Sequence, residues 1–283
     1  MLSKLALSCY SAGSMIRVQP LFDSPLVRIE RCDHPLEVPH VDPEEERSMQ
    51  YTINCVERGL FSVTAGRRTW NVGPGDLFVT VPGFVYRCDH HDNPTDVCLS
   101  VCFGSEADRD GLNAGELAQH APVVATNNRR AYLRRRLAQR LADSADRLTI
   151  ESIAGDMLDA ATDGARSRRV YSDAQLTWYA HRVDAARERL DVEYGSPQSL
   201  ATLAREAGMS PFHFARVFRE LAGVPPHRYL IAVRLRAAIE RLRAGDSVTG
   251  TCFAVGFNSL GHFIEMFRRR YGVSPSRIRS AGL

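Results

Sequence analysis

Lysine is almost absent from this chain of 283 residues. Lys4 is the single lysine, so arginine supplies nearly all of the 36 basic side chains. The planar fork of donors on arginine matches phosphate and guanine better than the point charge of lysine does. The arginine content therefore favours a polyanionic partner, although the base composition of a genome explains it as well.

The chain also lacks any pair of cysteines in CxxC spacing, and its cysteines number seven, which is odd. This usage argues against the disulfide framework of a small secreted protein. It predicts free and mostly buried thiols in a reducing compartment. We therefore expect a cytoplasmic protein.

Long apolar runs are missing as well. No run approaches the ~20 residues of a transmembrane helix, so we expect no membrane segment. The apolar stretch after Lys4 is broken by Ser8 and is too short for a secretory signal. We interpret residues 1–15 as a disordered leader, with Met15 as an alternative translation start.

Charge is divided unevenly along the chain. Residues 174–283 carry 16 basic and 9 acidic side chains, a net charge of +7. Residues 1–173 carry 20 basic and 24 acidic side chains, a net charge of −4. This asymmetry indicates a polyanion as the partner of the last third. A solvated charged surface explains the same asymmetry.

The first part of the chain has the pattern of β-structure. Short runs of valine, isoleucine, threonine and aromatic residues alternate with turn residues through residues 16–104. The clearest runs are 51–56, 60–64, 69–72, 77–81 and 97–103. Many short antiparallel strands at this spacing predict a β-barrel or jelly roll.

One turn in this region resembles a turn of the cupin barrels. It is the Pro-Gly-Asp-Leu-Phe sequence at residues 74–78, and it implies a cupin-like domain over residues 16–162. Cupin enzymes hold a metal through an HxH pair, a glutamate and a later histidine, and none of these is in place. Tyr86 stands near the position of the last histidine. We therefore expect no metal and no cofactor, and a barrel that binds a small-molecule effector.

A group of histidines and cysteines supports a different hypothesis for the same domain. His90 and His91 are adjacent and lie between Cys88 and Cys98. Adjacent residues of a strand point to opposite sides, so both histidines can hold one ion only on a loop, which the polar residues 89–95 allow. A solvated loop is the simpler interpretation.

Residues 129–162 have a helical pattern. Leu133, Leu137 and Leu141 recur at every fourth position with arginines on the opposite faces, and a second helix is predicted after Thr149. Such a helix pair makes a homodimer interface or packs against the barrel. We expect a homodimer. Residues 163–174, rich in small and charged residues, are interpreted as a linker.

A short pattern occurs twice near the C-terminus. Residues 213–219 (His-Phe-Ala-Arg-Val-Phe-Arg) return 49 positions later as residues 262–268 (His-Phe-Ile-Glu-Met-Phe-Arg). The match continues, since Gly-Val-Pro-Pro at 223–226 aligns with Gly-Val-Ser-Pro at 272–275. Such a repeat predicts two copies of one small helical unit.

Each copy has helix-turn-helix spacing, with a short helix, a glycine turn and a second helix. The predicted helices of the first copy are 200–207 and one that starts at Pro211, and those of the second are 248–255 and 259–271. A predicted helix of 18 residues, 226–243, joins the copies and spans ~27 Å. Both second helices can then enter successive major grooves ~34 Å apart.

This arrangement, with Gly-Val-x-Pro-x-Arg after each unit, closely resembles the AraC/XylS family of bacterial transcription regulators. The resemblance covers residues 183–279 and implies an all-α DNA-binding domain over residues 175–283, in a chain of the α+β class. It implies a regulator rather than an enzyme. The implied partners are double-stranded DNA, a small-molecule effector in the barrel, and RNA polymerase for an activator.

The resemblance also assigns contacts in the first unit. It implies base contacts by Phe212 and Arg216, with His213 near the DNA backbone and Arg219 as a further contact. Arg216 lies off the face of the buried phenylalanines and can fork onto guanine. A solvated surface charge is the alternative for Arg216.

The second unit departs from the family pattern. Leu260 and Glu265 stand where a polar residue and an arginine are usual. Leu260 can touch a thymine methyl group and Glu265 can accept from cytosine N4, although a glutamate also repels phosphate. Arg268 and Arg269 either hold the DNA backbone or face water. We therefore expect the first unit to do more of the base reading.

Two alternatives stay open on sequence grounds. One is a regulator that senses a metal or a thiol oxidant through the histidine and cysteine group. The other is a metal-dependent cupin enzyme fused to a DNA anchor, which tightly bound metal in the purified protein would support. The identity of the effector and the operator sequence do not follow from the residues.

Overall fold

The computed structural model describes residues 17–33, 45–89, 96–104, 121–162 and 171–281. The chain divides into two compact units, residues 1–170 and 171–283, and each is described by itself. The predicted leader, the His90–His91 pair and residues 163–170 of the predicted linker lie outside the described residues.

The described part of the first unit contains β-strands followed by two helices. The strands are β1 (Arg17–Asp23), β2 (Val27–Asp33), β3 (Glu46–Arg47), β4 (Tyr51–Arg58), β5 (Phe61–Ala65), β6 (Arg68–Val72), β7 (Leu77–Thr80), β8 (Val85–Asp89), β9 (Val97–Phe103) and β10 (Val123–Val124). The helices are α1 (Asn128–Ala142) and α2 (Arg147–Thr162). The α+β class is confirmed.

These strands form two antiparallel sheets, with the orders β1-β2-β9-β4-β7-β10 and β3-β8-β5-β6. The described strands do not close into one barrel, so that part of the prediction is wrong. The chain changes sheet at tight turns, where Gly59 and Gly83 have φ values of 89° and 83°. Such left-handed positions favour glycine, and each sends the next strand into the other sheet instead of extending the same one.

Helices α1 and α2 pack against each other. Helix α1 begins where the side chain of Asn127 accepts a hydrogen bond from the backbone N–H of Arg130 at 2.8 Å. Helix α2 begins at Arg147, earlier than predicted, because Asp146 accepts a hydrogen bond from the N–H of Thr149 at 3.0 Å. Leu133 is buried, and so are several other apolar side chains of the two helices. These are Leu137, Ile150, Ile153, Ala154, Met157 and Leu158.

The described part of the second unit is entirely helical. Its helices are α3 (Asp173–Val192), α4 (Leu200–Glu206), α5 (Pro211–Ala222), α6 (Pro226–Arg243), α7 (Val248–Ala254), α8 (Leu260–Tyr271) and α9 (Pro275–Ala281). Helix α3 begins at Asp173, because Ser172 and Gln175 form a capping box there. The predicted long helix is confirmed as α6, with 18 residues.

Apolar side chains hold each helix-turn-helix together. In the first helix-turn-helix, three side chains of α5 are fully buried: Phe214, Phe218 and Leu221. Phe263 and Phe267 of α8 are fully buried in the second, in a cluster with Leu235, Ala238, Leu242, Cys252, Val255 and Phe257. Helix α6 therefore supplies core residues to the second helix-turn-helix. Among the described helices, none is both long and apolar enough to cross a membrane.

Candidate nucleic-acid interface and effector site

The two helix-turn-helix units share one frame. In each, the first helix has 7 residues and the second has 12. A serine caps the start of every one of these helices, and the second helices end at Gly223 and Gly272 with φ values of 79° and 72°. The caps and glycines explain why the repeat in the sequence gives the same local fold twice.

The turn of the second unit is one residue longer. The caps of the first helices, Ser199 and Ser247, are 48 positions apart, whereas the caps of the second helices, Ser210 and Ser259, are 49 apart. Phe257 lies in the longer turn and is buried, with its ring centroid 5.2 Å from that of Phe263 in α8. The extra residue thus fits because an aromatic side chain anchors the turn to the core.

Helix α5 presents a polar and aromatic stripe opposite its buried face. Phe212 is 89% exposed, and Arg216 and Arg219 are exposed as well. Their spacing of four and three residues puts all three on one side of the helix. Three of the predicted contact residues therefore lie together on a surface that a groove can receive.

His213 has a different environment. Its Nε2 lies 3.3 Å from the hydroxyl of Tyr179 in α3, and the two rings meet edge to face with centroids 5.6 Å apart. His213 is half-buried by this contact. The side chain thus ties α5 to α3, which the sequence did not predict, because Tyr179 stands 34 positions away.

Helix α8 carries the predicted contacts of the second unit. Glu265, Arg268 and Arg269 are exposed. Leu260 is half-buried instead and packs against the core cluster around Phe263. This packing leaves less of Leu260 for a thymine methyl group than an exposed position would.

Two charged positions of α5 and α8 carry opposite signs in the two helices. With the 49-residue offset, Arg216 aligns with Glu265, and Glu220 aligns with Arg269. In each helix the two charges are one turn apart, which puts them on one face. Glu220 was missed in the sequence, although extending the aligned repeat of residues 213–219 by one residue reveals it.

The six-stranded sheet carries a polar group on one face. Register places Glu30, Ser100 and Asn54 opposite one another across β2, β9 and β4, and the next row holds Arg28, Cys102, Thr52 and Thr80. Ser100 Oγ donates to Asn54 Oδ1 at 2.7 Å. Arg28 pairs with Glu30 at 3.0 Å, with the side chains only 24% and 13% exposed.

This polar face is turned toward the second sheet. Residues on the same face further along the strands, Val56, Phe78 and Cys98, cluster with Phe61, Val63, Val72 and Tyr86. The faces that the two sheets turn toward each other therefore have a polar end and an apolar end, a combination that small-ligand sites usually have. The sequence contains a signal for this polar face, because the charged Arg28 and Glu30 of β2 alternate with the buried Val27 and Ile29.

The metal hypothesis finds no site in the part of the chain that the structure describes. No group of three histidine, cysteine, aspartate or glutamate side chains there is arranged to hold an ion. Tyr86, at the position predicted for the last cupin histidine, donates instead to Glu46 Oε2 at 2.9 Å.

The cysteines do not have the environment of sensor thiols. Burial raises the pKa of Cys98, and the charge of Asp96 raises it further. Burial also raises the pKa of Cys88, and that of Cys55 to about 12. A reactive thiol needs a lowered pKa, so the described thiols give the redox hypothesis no support.

Comparison with known proteins bears on the whole arrangement. The model of the AraC-like ligand binding domain matches residues 38–158, and a helix-turn-helix domain model matches residues 203–281. The order and extent of these two matches agree with the two units. The chain belongs to the AraC/XylS family of transcription regulators.

Two transcription regulators are similar in sequence to about a third of this chain. The HTH-type transcriptional regulator Rv1931c of Mycobacterium tuberculosis is 36% identical over 88 residues, which cover 31% of this chain and 34% of that protein. The activator RhaS of Escherichia fergusonii is 35% identical over 91 residues, or 32% and 33% of the two chains. These matches thus span about a third of the relatives' length.

A solved structure also matches part of this chain. It is the DNA-binding domain of AdpA, a global transcriptional factor, in complex with a target DNA. It is 36% identical and covers 36% of this chain and 90% of that one, with a TM-score of 0.32.

Proposed function

We propose that this chain is a transcription regulator that binds double-stranded DNA in a sequence-specific way under the control of a small-molecule effector. The observation that carries the proposal is the exposed stripe of Phe212, Arg216 and Arg219 on α5, opposite the fully buried Phe214 and Phe218. An aromatic side chain and two arginines on one exposed helix face suit base edges and phosphates. The proposal includes no enzymatic activity.

The two units divide the work on DNA. Arg216 of α5 forks onto a guanine in the major groove, and Phe212 contacts a neighbouring base. Arg268 and Arg269 of α8 bind phosphates, and this contact sets the position of the chain on the duplex. Glu265 restricts the second unit to bases that donate, such as cytosine through N4.

The effector binds between the two sheets of the first unit. Glu30, Asn54 and Ser100 supply donors and acceptors at the polar end, and Phe61 and Phe78 supply apolar contact at the other. An effector with hydrogen-bonding groups on one side and an apolar body on the other fits this arrangement. Its binding changes the affinity of the helical unit for DNA.

The working form is a homodimer that acts on RNA polymerase in the cytoplasm. Leu148 of α2 is 70% exposed and lies on the helix pair that the proposal assigns to the interface, so its replacement tests that assignment. Sedimentation of the full chain tests this point. The wild type is expected to sediment as a dimer and Leu148→Glu as a monomer, whereas a monomeric wild type contradicts the proposal.

The DNA assignment is tested by selecting operators from random DNA with the full chain, followed by binding measurements on each single-base variant. Arg216→Ala is expected to cost about 1–3 kcal/mol and to relax specificity at one base pair. Arg269→Ala is expected to weaken all sequences alike and to reduce the salt slope by about one. Arg31→Ala, in the β-rich unit of residues 1–170, is the matched control and is expected to leave both the base specificity and the salt slope unchanged.

Two outcomes would contradict these roles. One is a uniform loss of affinity for Arg216→Ala, without any change in base preference. The other is a base-specific loss for Arg269→Ala. For the effector, a screen of small molecules by thermal shift of the full chain gives the ligand, and Asn54→Leu is expected to abolish its shift.

A further inference from the structure

Tyr171 lies against α5, the second helix of the first helix-turn-helix. Its hydroxyl donates to Glu220 Oε2 of α5 at 2.6 Å. Its ring centroid lies 4.7 Å from that of Tyr179, and Tyr179 in turn contacts His213. The start of the helical unit is therefore joined to both ends of α5, at His213 and at Glu220.

Arg216 lies between these two contacts and close to Tyr171. Burial and the hydrogen bond with Glu220 raise the pKa of the Tyr171 phenol, while the positive charge of Arg216 lowers it by less. The phenol therefore stays protonated and keeps donating to Glu220. Within the described residues Arg216 forms no ion pair within 4.0 Å, and its side chain is exposed.

Glu220 follows Arg216 by one helical turn. Opposite charges with this spacing attract each other on a helix surface. A guanidinium held by the carboxylate of its own helix has fewer donors to offer a base. The hydroxyl of Tyr171 competes for the same carboxylate, so it limits this internal pairing.

We propose that Tyr171 and Glu220 are positioning residues for base reading by the first helix-turn-helix. Tyr171 holds the carboxylate of Glu220 and so leaves Arg216 free to reach a base edge. Neither residue needs to touch DNA. The proposal rests on the proposed role of Arg216 as a base reader, and it adds the residues that keep this arginine available.

The second unit offers an internal comparison. There the same two positions hold Glu265 and Arg269 in reversed order, so the reading position is acidic and the position one turn later is basic. An arginine with a carboxylate one helical turn later therefore occurs at these positions in the first helix-turn-helix and not in the second. A change of Tyr171 should alter base preference under α5 and leave that under α8 unchanged.

The test uses the full chain and three variants, Tyr171→Phe, Glu220→Gln and the double variant, on the selected operator and all its single-base variants. Tyr171→Phe keeps the ring against Tyr179 and removes only the hydroxyl. It is expected to reduce discrimination about 2- to 5-fold at the base pair that Arg216 reads. Glu220→Gln cannot form an ion pair, so the double variant is expected to regain the wild-type discrimination.

A second measurement needs no DNA. The Nε–Hε signal of Arg216 in the NMR spectrum reports whether the guanidinium is paired. In Tyr171→Phe this signal is expected to shift and to exchange more slowly with water, and in the double variant it is expected to return to the wild-type position. An unchanged signal in Tyr171→Phe overturns the proposal.

Arg216→Ala in the same set separates two kinds of failure. If this variant shows no base-specific loss, the proposed reading role of Arg216 is wrong. If it does show that loss, but Tyr171→Phe keeps full discrimination or weakens all sequences equally, only the positioning proposal is wrong. A double variant that does not recover discrimination also overturns it.

Discussion

Two phenylalanines of α5, two positions apart, should respond in opposite ways to replacement by alanine. Phe214 is fully buried in the core of the first helix-turn-helix, whereas Phe212 is 89% exposed. Loss of a fully buried phenylalanine costs about 3–5 kcal/mol. Loss of an exposed side chain changes the free energy of unfolding by about 0.5 kcal/mol at most.

Urea unfolding of the full chain measures the first effect. The chain has two tryptophans, so a Trp70→Phe background leaves Trp178 of α3 as a fluorescent reporter of the helical unit. A urea dependence of about 2 kcal/mol per molar converts the expected loss into a midpoint lower by about 2 M for Phe214→Ala. Phe212→Ala should keep the midpoint of the background.

DNA binding measures the second effect. Phe212→Ala should lower affinity for the selected operator about tenfold, since an apolar base contact contributes on the order of 1 kcal/mol or more. The reasoning would be refuted if Phe212→Ala lowered the urea midpoint as much as Phe214→Ala. It would also be refuted if Phe212→Ala bound the operator as tightly as the wild type.

Three further predictions concern the helical turns and the thiols. Gly256→Ala should lower the urea midpoint more than Gly208→Ala, since both have positive φ but a Cβ at 256 would lie 2.8 Å from the backbone oxygen of Gly195, whereas one at 208 meets nothing within 4 Å. Ser259→Ala removes the cap of α8 and should cost about 1 kcal/mol, measured as faster amide hydrogen exchange in that helix. Cys55, whose pKa burial raises to about 12, should resist N-ethylmaleimide at pH 8 until urea unfolds the chain, as mass spectrometry can show.

The helical unit was the more predictable part of the chain. Its caps, glycines and buried phenylalanines lie within a few residues of one another, so local pattern alone gives the helices. The repeat gave α5 and α8 as equivalent helices, and the structure puts Phe263 in the place of Phe214. The longer second turn was less visible, because only the caps on both sides reveal the extra residue.

Long-range contacts were not predictable from the same patterns. The two sheets depend on which distant strands pair, and alternation along one strand does not specify this. The hydrogen bond between Ser100 and Asn54, 46 positions apart on β9 and β4, depends on that register. Likewise, Tyr171 meets Glu220 across 49 positions, and neither residue belongs to a recognised pattern.

The central claim is that both helix-turn-helix units of one chain contact the same face of the DNA. Hydroxyl-radical footprinting of the full chain on its selected operator tests this claim most directly. Two protected segments for each bound chain, about one helical turn or 10 base pairs apart, are expected. A single protected segment shorter than one turn for each bound chain would contradict the claim.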